Sequence, residues 1–295
     1  MKFDNVLTRM LGIQYPIIQG AFGPLGMGTS RIAVPVSEAG ALGILTSISY
    51  KDPDAFQQDI WDAKRRTDKP IAVNFSLFKD QNILDDYHED YIKITLKEGI
   101  QTIFTSAYDG SAIGQRCKAA GCTWIHKCAT IEHALSIAKK GADAVVLVGL
   151  EGTGFKSPLQ NSTLINITAT RRLTDTPLIA AGGIGDARGF VAALAMGAVG
   201  VYMGTAMMAT KEFQASDTLK NKIVHQDILD ADYRQSIYRA GHSLKPSLAT
   251  AVIDSLPTVK EFIDRIIKES EEIMAQFIDW GMMHFTAQRE DPGRQ

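Results

Sequence analysis

The stretch 177–205, PLIAAGGIGDARGFVAALAMGAVGVYMGT, constrains the fold of this chain more than any other. Its first apolar run, 178–181, has the length of a strand buried on both faces, and Gly182, Gly183 and Gly185 then permit a tight turn or close approach of backbone to a ligand. Asp186 is placed to cap the following helix, 187–196, which is alanine-rich and ends at Gly197. A second apolar run, 200–203, closes on Gly204 and Thr205. Two adjacent parallel strands that each stop at glycine predict a phosphate site, because free backbone N–H groups and a helix N-terminus meet an anion there. The same glycines also serve tight connections alone, and the motif by itself does not separate the two uses.

The alternation extends over most of the chain. Apolar runs at 16–19, 42–46, 71–75, 102–106, 123–127, 144–148, 178–181 and 200–203 read as strands. Segments 54–66, 87–98, 111–120, 131–140 and 164–173 read as helices between them. Strand alternating with helix implies a parallel sheet, and eight repeats imply closure, so the predicted fold is an α/β (β/α)8 TIM barrel. Gly40, Gly121, Gly141 and Gly197 stand where helices hand over to the next strand. A length of 295 residues exceeds the ~250 of a bare barrel. The surplus falls after 210, where strand candidates cease and 259–274 and 275–283 show helical spacing. The expected organisation is a barrel over 1–210 and a small C-terminal helical cap over 211–295, packed over the barrel mouth.

A net charge of −2 with 22% charged residues points away from nucleic-acid partners. The absence of a long apolar run and of a leader-like N-terminus points away from membranes and toward a cytoplasmic location. Cys117, Cys122 and Cys128 are odd in number and follow no metal-binding spacing, so they read as buried thiols and no metal is expected.

In such a barrel the C-terminal ends of strands carry the chemistry. Gln19, Gly20, Ala21 and Phe22 follow the first strand, with residues small enough at 20 and 21 for a flat ligand to lie against backbone. Asn74 is a lone amide at the end of the third, placed either to tie loops together or to bind a cofactor's polar edge. Lys127 shares a face with Thr123 and Ile125, and a lysine inside a barrel mouth calls for an anion or a reduced, negatively charged ring. The loop 149–158, GLEGTGFKSP, contributes Glu151, Thr153, Phe155 and Lys156.

PIIQGAFG, NFSL, HKCAT, GLEGTGF, AAGGIGDARG and GVYMGT, in that order over about residues 8–212, resemble the nitronate monooxygenase (2-nitropropane dioxygenase) family. That family also includes FMN-dependent enoyl-thioester reductases and NAD(P)H:quinone reductases. The resemblance implies FMN, its phosphate at Gly182, Gly183, Gly204 and Thr205, its ring near Ala21, Phe22, Asn74 and Lys127, with Gln19, Gly20, Thr153 and Ala181 alongside. It also implies a departure, because relatives place a histidine, the general base, where this chain has Phe155, with no histidine within about twenty residues.

Phenylalanine cannot take a carbon-bound proton from a neutral nitroalkane. Three outcomes stay open: oxidation of pre-ionised nitronates, NAD(P)H-dependent reduction of an enoyl thioester, quinone or other electron-poor double bond, and flavin binding with impaired catalysis. Glu151 and Lys156 are the ionisable candidates beside Phe155, Glu151 as a base or a loop tie and Lys156 as a steering charge for an anionic or CoA-linked substrate or a solvated lysine. A homo-oligomer is compatible with all of this.

Overall fold

Short apolar runs become strands here because both of their faces find a core. The computed structural model describes residues 3–77, 81–239, 241–243 and 245–290, with side chains described outside 81–86, 241–243 and 280–290. The strands are β1 (Ile17–Gln19), β2 (Gly43–Thr46), β3 (Ile71–Ser76), β4 (Thr102–Ser106), β5 (Thr123–Cys128), β6 (Ala144–Val148), β7 (Gly154–Lys156), β8 (Leu178–Ala181), β9 (Gly200–Met203) and β10 (Gly241–Ser243). The helices are α1 (Val6–Leu11), α2 (Ser30–Glu38), α3 (Pro53–Arg66), α4 (Gln81–Lys97), α5 (Ser111–Ala119), α6 (Ile131–Lys139), α7 (Thr163–Arg171), α8 (Ala187–Ala195), α9 (Thr205–Met208), α10 (Asp217–Val224), α11 (Ala231–Tyr238) and α12 (Val259–Glu290).

Eight parallel strands pair in the order β1-β9-β8-β6-β5-β4-β3-β2. The remaining seam, β1 to β2, is held by a parallel bridge between Ile18 and Leu42. The Gln19 amide reinforces it by donating to Ile44 O at 3.0 Å and accepting from Ile44 N at 3.3 Å. The barrel predicted from the sequence is therefore present, with helices between its strands. Inside it pack Ile18, Ile44, Ala72, Phe104, Ile125, Val146, Ile179 and Tyr202. Their neighbours in sequence, such as Leu45, Val73, Ile103, Trp124, Val145 and Val201, face the helices. Burial of each large apolar side chain contributes about 1.5–3 kcal/mol, which drives both faces of the sheet inward. Asp186 caps α8 by accepting from Gly189 N at 2.8 Å, and Gly40, Gly121, Gly141 and Gly197 all take positive φ at helix ends.

The C-terminal segment differs from the sequence expectation. The two helical stretches expected at 259–274 and 275–283 are one continuous helix, α12. It packs against α8 and α2, on the barrel's flank, because its apolar residues Phe262, Ile263, Ile266 and Ile267 join the outer core there. Residues 231–239, 241–243 and 245–253 take the position at the mouth. They include a strand the apolar pattern did not reveal, β10, which pairs antiparallel with β7. Among the described residues, no helix is long and apolar enough to cross a membrane.

Candidate active site

Period-two alternation carries the interior positions forward to the mouth: Ile44 leads to Thr46, Ala72 to Asn74 and Ser76, Phe104 to Ser106, Ile125 to Lys127, and Ile179 to Ala181. Five of the eight strands thus deliver their last inward side chain to one ring. Asn74 donates through Nδ2 to Ser76 Oγ at 3.0 Å, and Ser106 reaches the same oxygen at 3.5 Å. Asn74 Oδ1 and Thr46 Oγ1 are buried and lack a partner among the described residues. Buried polar atoms are ordinarily paired, so two adjacent orphans at a strand end mark where a polar ligand edge fits.

Lys127 is the cation of this ring. No acceptor among the described residues lies within hydrogen-bond reach of its Nζ, and burial pulls its pKa from 10.5 to about 8, with Lys156 adding to the fall. Phe155 stands close by, half-buried against the barrel interior together with Ala21, and meets Tyr108 edge to face with ring centroids 4.9 Å apart. Ala107, beside Tyr108, has φ of 82°, a strained conformation for a residue with a Cβ.

The two glycine loops adjoin as the sequence predicts. Gly182 and Gly183 have φ of 99° and 75°. A Cβ on Gly20 would sit 2.7 Å from Gly204 Cα, which brings the loops after β1 and β9 into contact, whereas one on Gly204 would meet nothing within 4 Å. Among the described residues the backbone N–H groups of Gly183 and Thr205 have no acceptor. Unpaired donors beside open space are what an anion requires.

Other predicted site residues hold structure. Gln19 is fully buried and committed to the seam. Phe22 turns its ring into the outer core against Phe213, at a centroid distance of 4.6 Å. Glu151 Oε2 accepts from both the N and Oγ1 of Thr163 at 2.9 Å, fixing the loop to the start of α7. Lys156 is 5% exposed and donates to Leu150 O, Gly152 O and Ile237 O at 2.6, 2.9 and 2.6 Å. It clamps its loop to α11. Thr153 is half-buried in the same loop, and Thr205 Oγ1 donates to Ser247 Oγ at 2.8 Å.

Several members of the site were not apparent from the sequence. Tyr202 holds Ala21 by accepting from its N–H, and period-two counting along β9 is the signal that places it inside. His88, fully buried, contacts Ser76 O through Nε2 at 2.9 Å and Ser47 Oγ through Nδ1 at 3.4 Å, with its pKa lowered by burial. In the β7–β10 ladder, the backbone of His242 is the register partner of Phe155. A groove of about 800 Å³ at the barrel's opposite end, bordered by Gly12, Lys69, Pro70 and Gly99, collects none of these strand ends.

The sequence profile of nitronate monooxygenase matches residues 4–239. The chain belongs to the nitronate monooxygenase family. As a member of that family it is 30% identical over 252 residues to (3aS,4S,5R,7aS)-5-hydroxy-7a-methyl-1-oxo-octahydro-1H-indene-4-carboxyl-CoA dehydrogenase of Rhodococcus jostii, covering 85% of this chain and 67% of that one. The same-named protein of Mycobacterium tuberculosis is 32% identical over 225 residues, of which the chain spans only 60% of the relative's length. A probable nitronate monooxygenase of Staphylococcus aureus is 30% identical over 264 residues, 77% of this chain and 74% of that one. Among solved structures, FabK from Thermotoga maritima superposes with a TM-score of 0.81 at 27% identity, over 94% of this chain and 99% of that one. Nitroalkane oxidase from Streptomyces ansochromogenes, at 19% identity and a TM-score of 0.78, shares the fold.

Proposed function

We propose that this family member is an FMN-dependent oxidoreductase that transfers hydride to or from an acyl-CoA-type thioester substrate, with NAD(P)H as the other partner. The observation that carries the reading is the aromatic wall of Phe155 and Tyr108 beside Lys127, whose ammonium has no acceptor among the described residues. The loop places no base at position 155, the position the resemblance assigns to the histidine of relatives, so the site favours hydride chemistry over abstraction of a proton by that loop. The 30% identical relative named a carboxyl-CoA dehydrogenase supports the substrate class.

The residues fit an FMN. Gly183, Gly204 and Thr205 offer unpaired or open backbone for the phosphate, and Asn74 Oδ1 and Thr46 Oγ1 offer acceptors for the polar edge of a ring. Bound there, FMN would supply the electron pair accepted and returned as hydride. Lys127 would neutralise negative charge developing beside it, Tyr202 holds the Ala21 backbone in place, and Phe155 with Tyr108 excludes water from the apolar side of the mouth. A second reading, oxidation of nitronates, draws on the same Lys127, whose ammonium suits an anionic substrate that needs no base.

Anaerobic addition of NADH or NADPH to the FMN-reconstituted protein tests the first reading. It predicts bleaching of the yellow absorbance and its return on addition of a trans-2-enoyl-CoA. Failure of both nicotinamides to bleach the flavin, with consumption of nitronates under oxygen, would establish the second reading instead.

A further inference from the structure

Strand β5 has a second face. While Lys127 points into the barrel, alternation turns His126 and Cys128 outward, under the start of α6. There His133 joins them from the first turn of that helix, where Thr130 Oγ1 accepts from His133 N at 3.2 Å. One ring nitrogen of His126, one of His133 and the sulfur of Cys128 all lie within 4.8 Å of one another. The two imidazoles meet edge to face with centroids 4.9 Å apart.

His126 is fully buried, and only one of its nitrogens is used. Nδ1 contacts Thr105 Oγ1 at 2.6 Å, and that oxygen also accepts from Trp124 Nε1 at 2.7 Å. Nε2 has no partner among the described residues. Leaving such a group buried and unpaired is costly, because it has given up water without gaining a partner. A ring fixed through one nitrogen to a protein oxygen, with the other free, is how histidine is presented to a metal ion. Cys128 is 1% exposed, and among the described residues its sulfur has only a 4.0 Å hydrogen-bond contact, to His126 O. Burial lowers the pKa of both histidines and raises that of the thiol.

We propose that His126 Nε2, Cys128 Sγ and a ring nitrogen of His133 form a zinc site, with water as the fourth ligand on the half-buried His133 side. Two nitrogens and a sulfur suit zinc and disfavour magnesium or calcium, which take oxygen. Tetrahedral zinc, with bonds of about 2.0–2.1 Å to nitrogen and 2.3 Å to sulfur, requires donors roughly 3.3–3.6 Å apart, so any pair of the three must draw together by at most about 1.5 Å. Coordination breaks the Cys128 S–H bond, forms one Zn–S and two Zn–N bonds, and sends one proton to solvent without any change of oxidation state. Asp109, paired with Lys140 and accepting from Ser111 N at 3.0 Å, is the charged neighbour and keeps its own partners.

The full-length protein, stripped with chelator and titrated with Zn²⁺ alone, tests the site by calorimetry in buffers of different protonation enthalpy. The expected result is one zinc per chain with release of about one proton. Co²⁺ in place of zinc should give a thiolate charge-transfer absorption that Cys128→Ala abolishes. His133→Ala, on the more accessible side, should weaken zinc by more than the ~10–100-fold that loss of an outer-shell partner costs, with its apo fold verified by circular dichroism. The proposal is overturned if the wild-type chain takes up no zinc, if stoichiometry and affinity persist in either folded variant, or if cobalt binds without a thiolate band.

Discussion

Lys156→Met separates two roles for a lysine that the sequence places beside the reacting centre. The structure has its ammonium bonded to Leu150 O, Gly152 O and Ile237 O. Methionine fills similar volume but leaves those buried carbonyls unpaired, at about 1–3 kcal/mol each. Part is recovered, because burial has pulled the Lys156 pKa from 10.5 to about 8. At about 1.36 kcal/mol per unit that represents about 3 kcal/mol of desolvation no longer incurred. The net loss centres on about 3 kcal/mol, a fall in Tm of about 5 °C for a chain of this size. The sign with pH follows from the same shift. Between about pH 8 and 10.5 the unfolded chain holds the proton and the folded one does not, so this lysine makes wild-type stability rise with pH across that window. The variant lacks that rise. Thermal melts at about pH 7 and about pH 9.5, on either side of the lower bound of that window, measure both effects. A Lys156→Met variant that melts within about 1 °C of wild type while showing a raised, salt-dependent KM for an anionic substrate would refute the clamp and make Lys156 a steering charge.

Gly204→Asp should abolish FMN retention with the fold intact, since its Cβ enters open space; Gly183→Asp should do the same with added strain, its φ being 75° and its Cβ 3.0 Å from Glu151 Cβ. Flavin content after gel filtration reads both. Phe155→His should raise turnover of neutral nitroalkanes relative to their nitronates by up to the ~10²–10⁴-fold of a positioned base. Gly114→Ala should prevent stable folding, because its Cβ would fall 2.0 Å from Trp124 Cε2; a soluble variant with an unaltered melt would contradict the packing.

The barrel was legible because each of its strands is an apolar run ending at small or polar residues, and no tertiary knowledge is needed to count them. Asn74, Lys127 and the glycine pairs were legible for the same reason, as the last residues of such runs. What the runs could not convey is partnership at a distance. β7 and β10 are three residues each, too short for a pattern, and exist only through each other. Helix α2 carries Pro35 in its interior, a residue that reads as a stop. Lys156 and Glu151 looked like chemistry because charge in a glycine loop does, and only the positions of Ile237 and Thr163 reveal what they hold.

The tie between β7 and β10, with Leu248 N donating to Glu151 O at 3.0 Å, also has a temporal meaning. Strand β9 completes the barrel at Met203, but the loop carrying Phe155 acquires its partner only after Ser243 has been made. At about 5–20 residues per second, a nascent chain would spend some seconds as a closed barrel with an unfinished entrance. Such long-separation contacts form late in folding. Completion of the substrate side would therefore track completion of the tail, and a ribosome stalled between those two points would display a closed barrel whose β7 loop still lacks its partner strand.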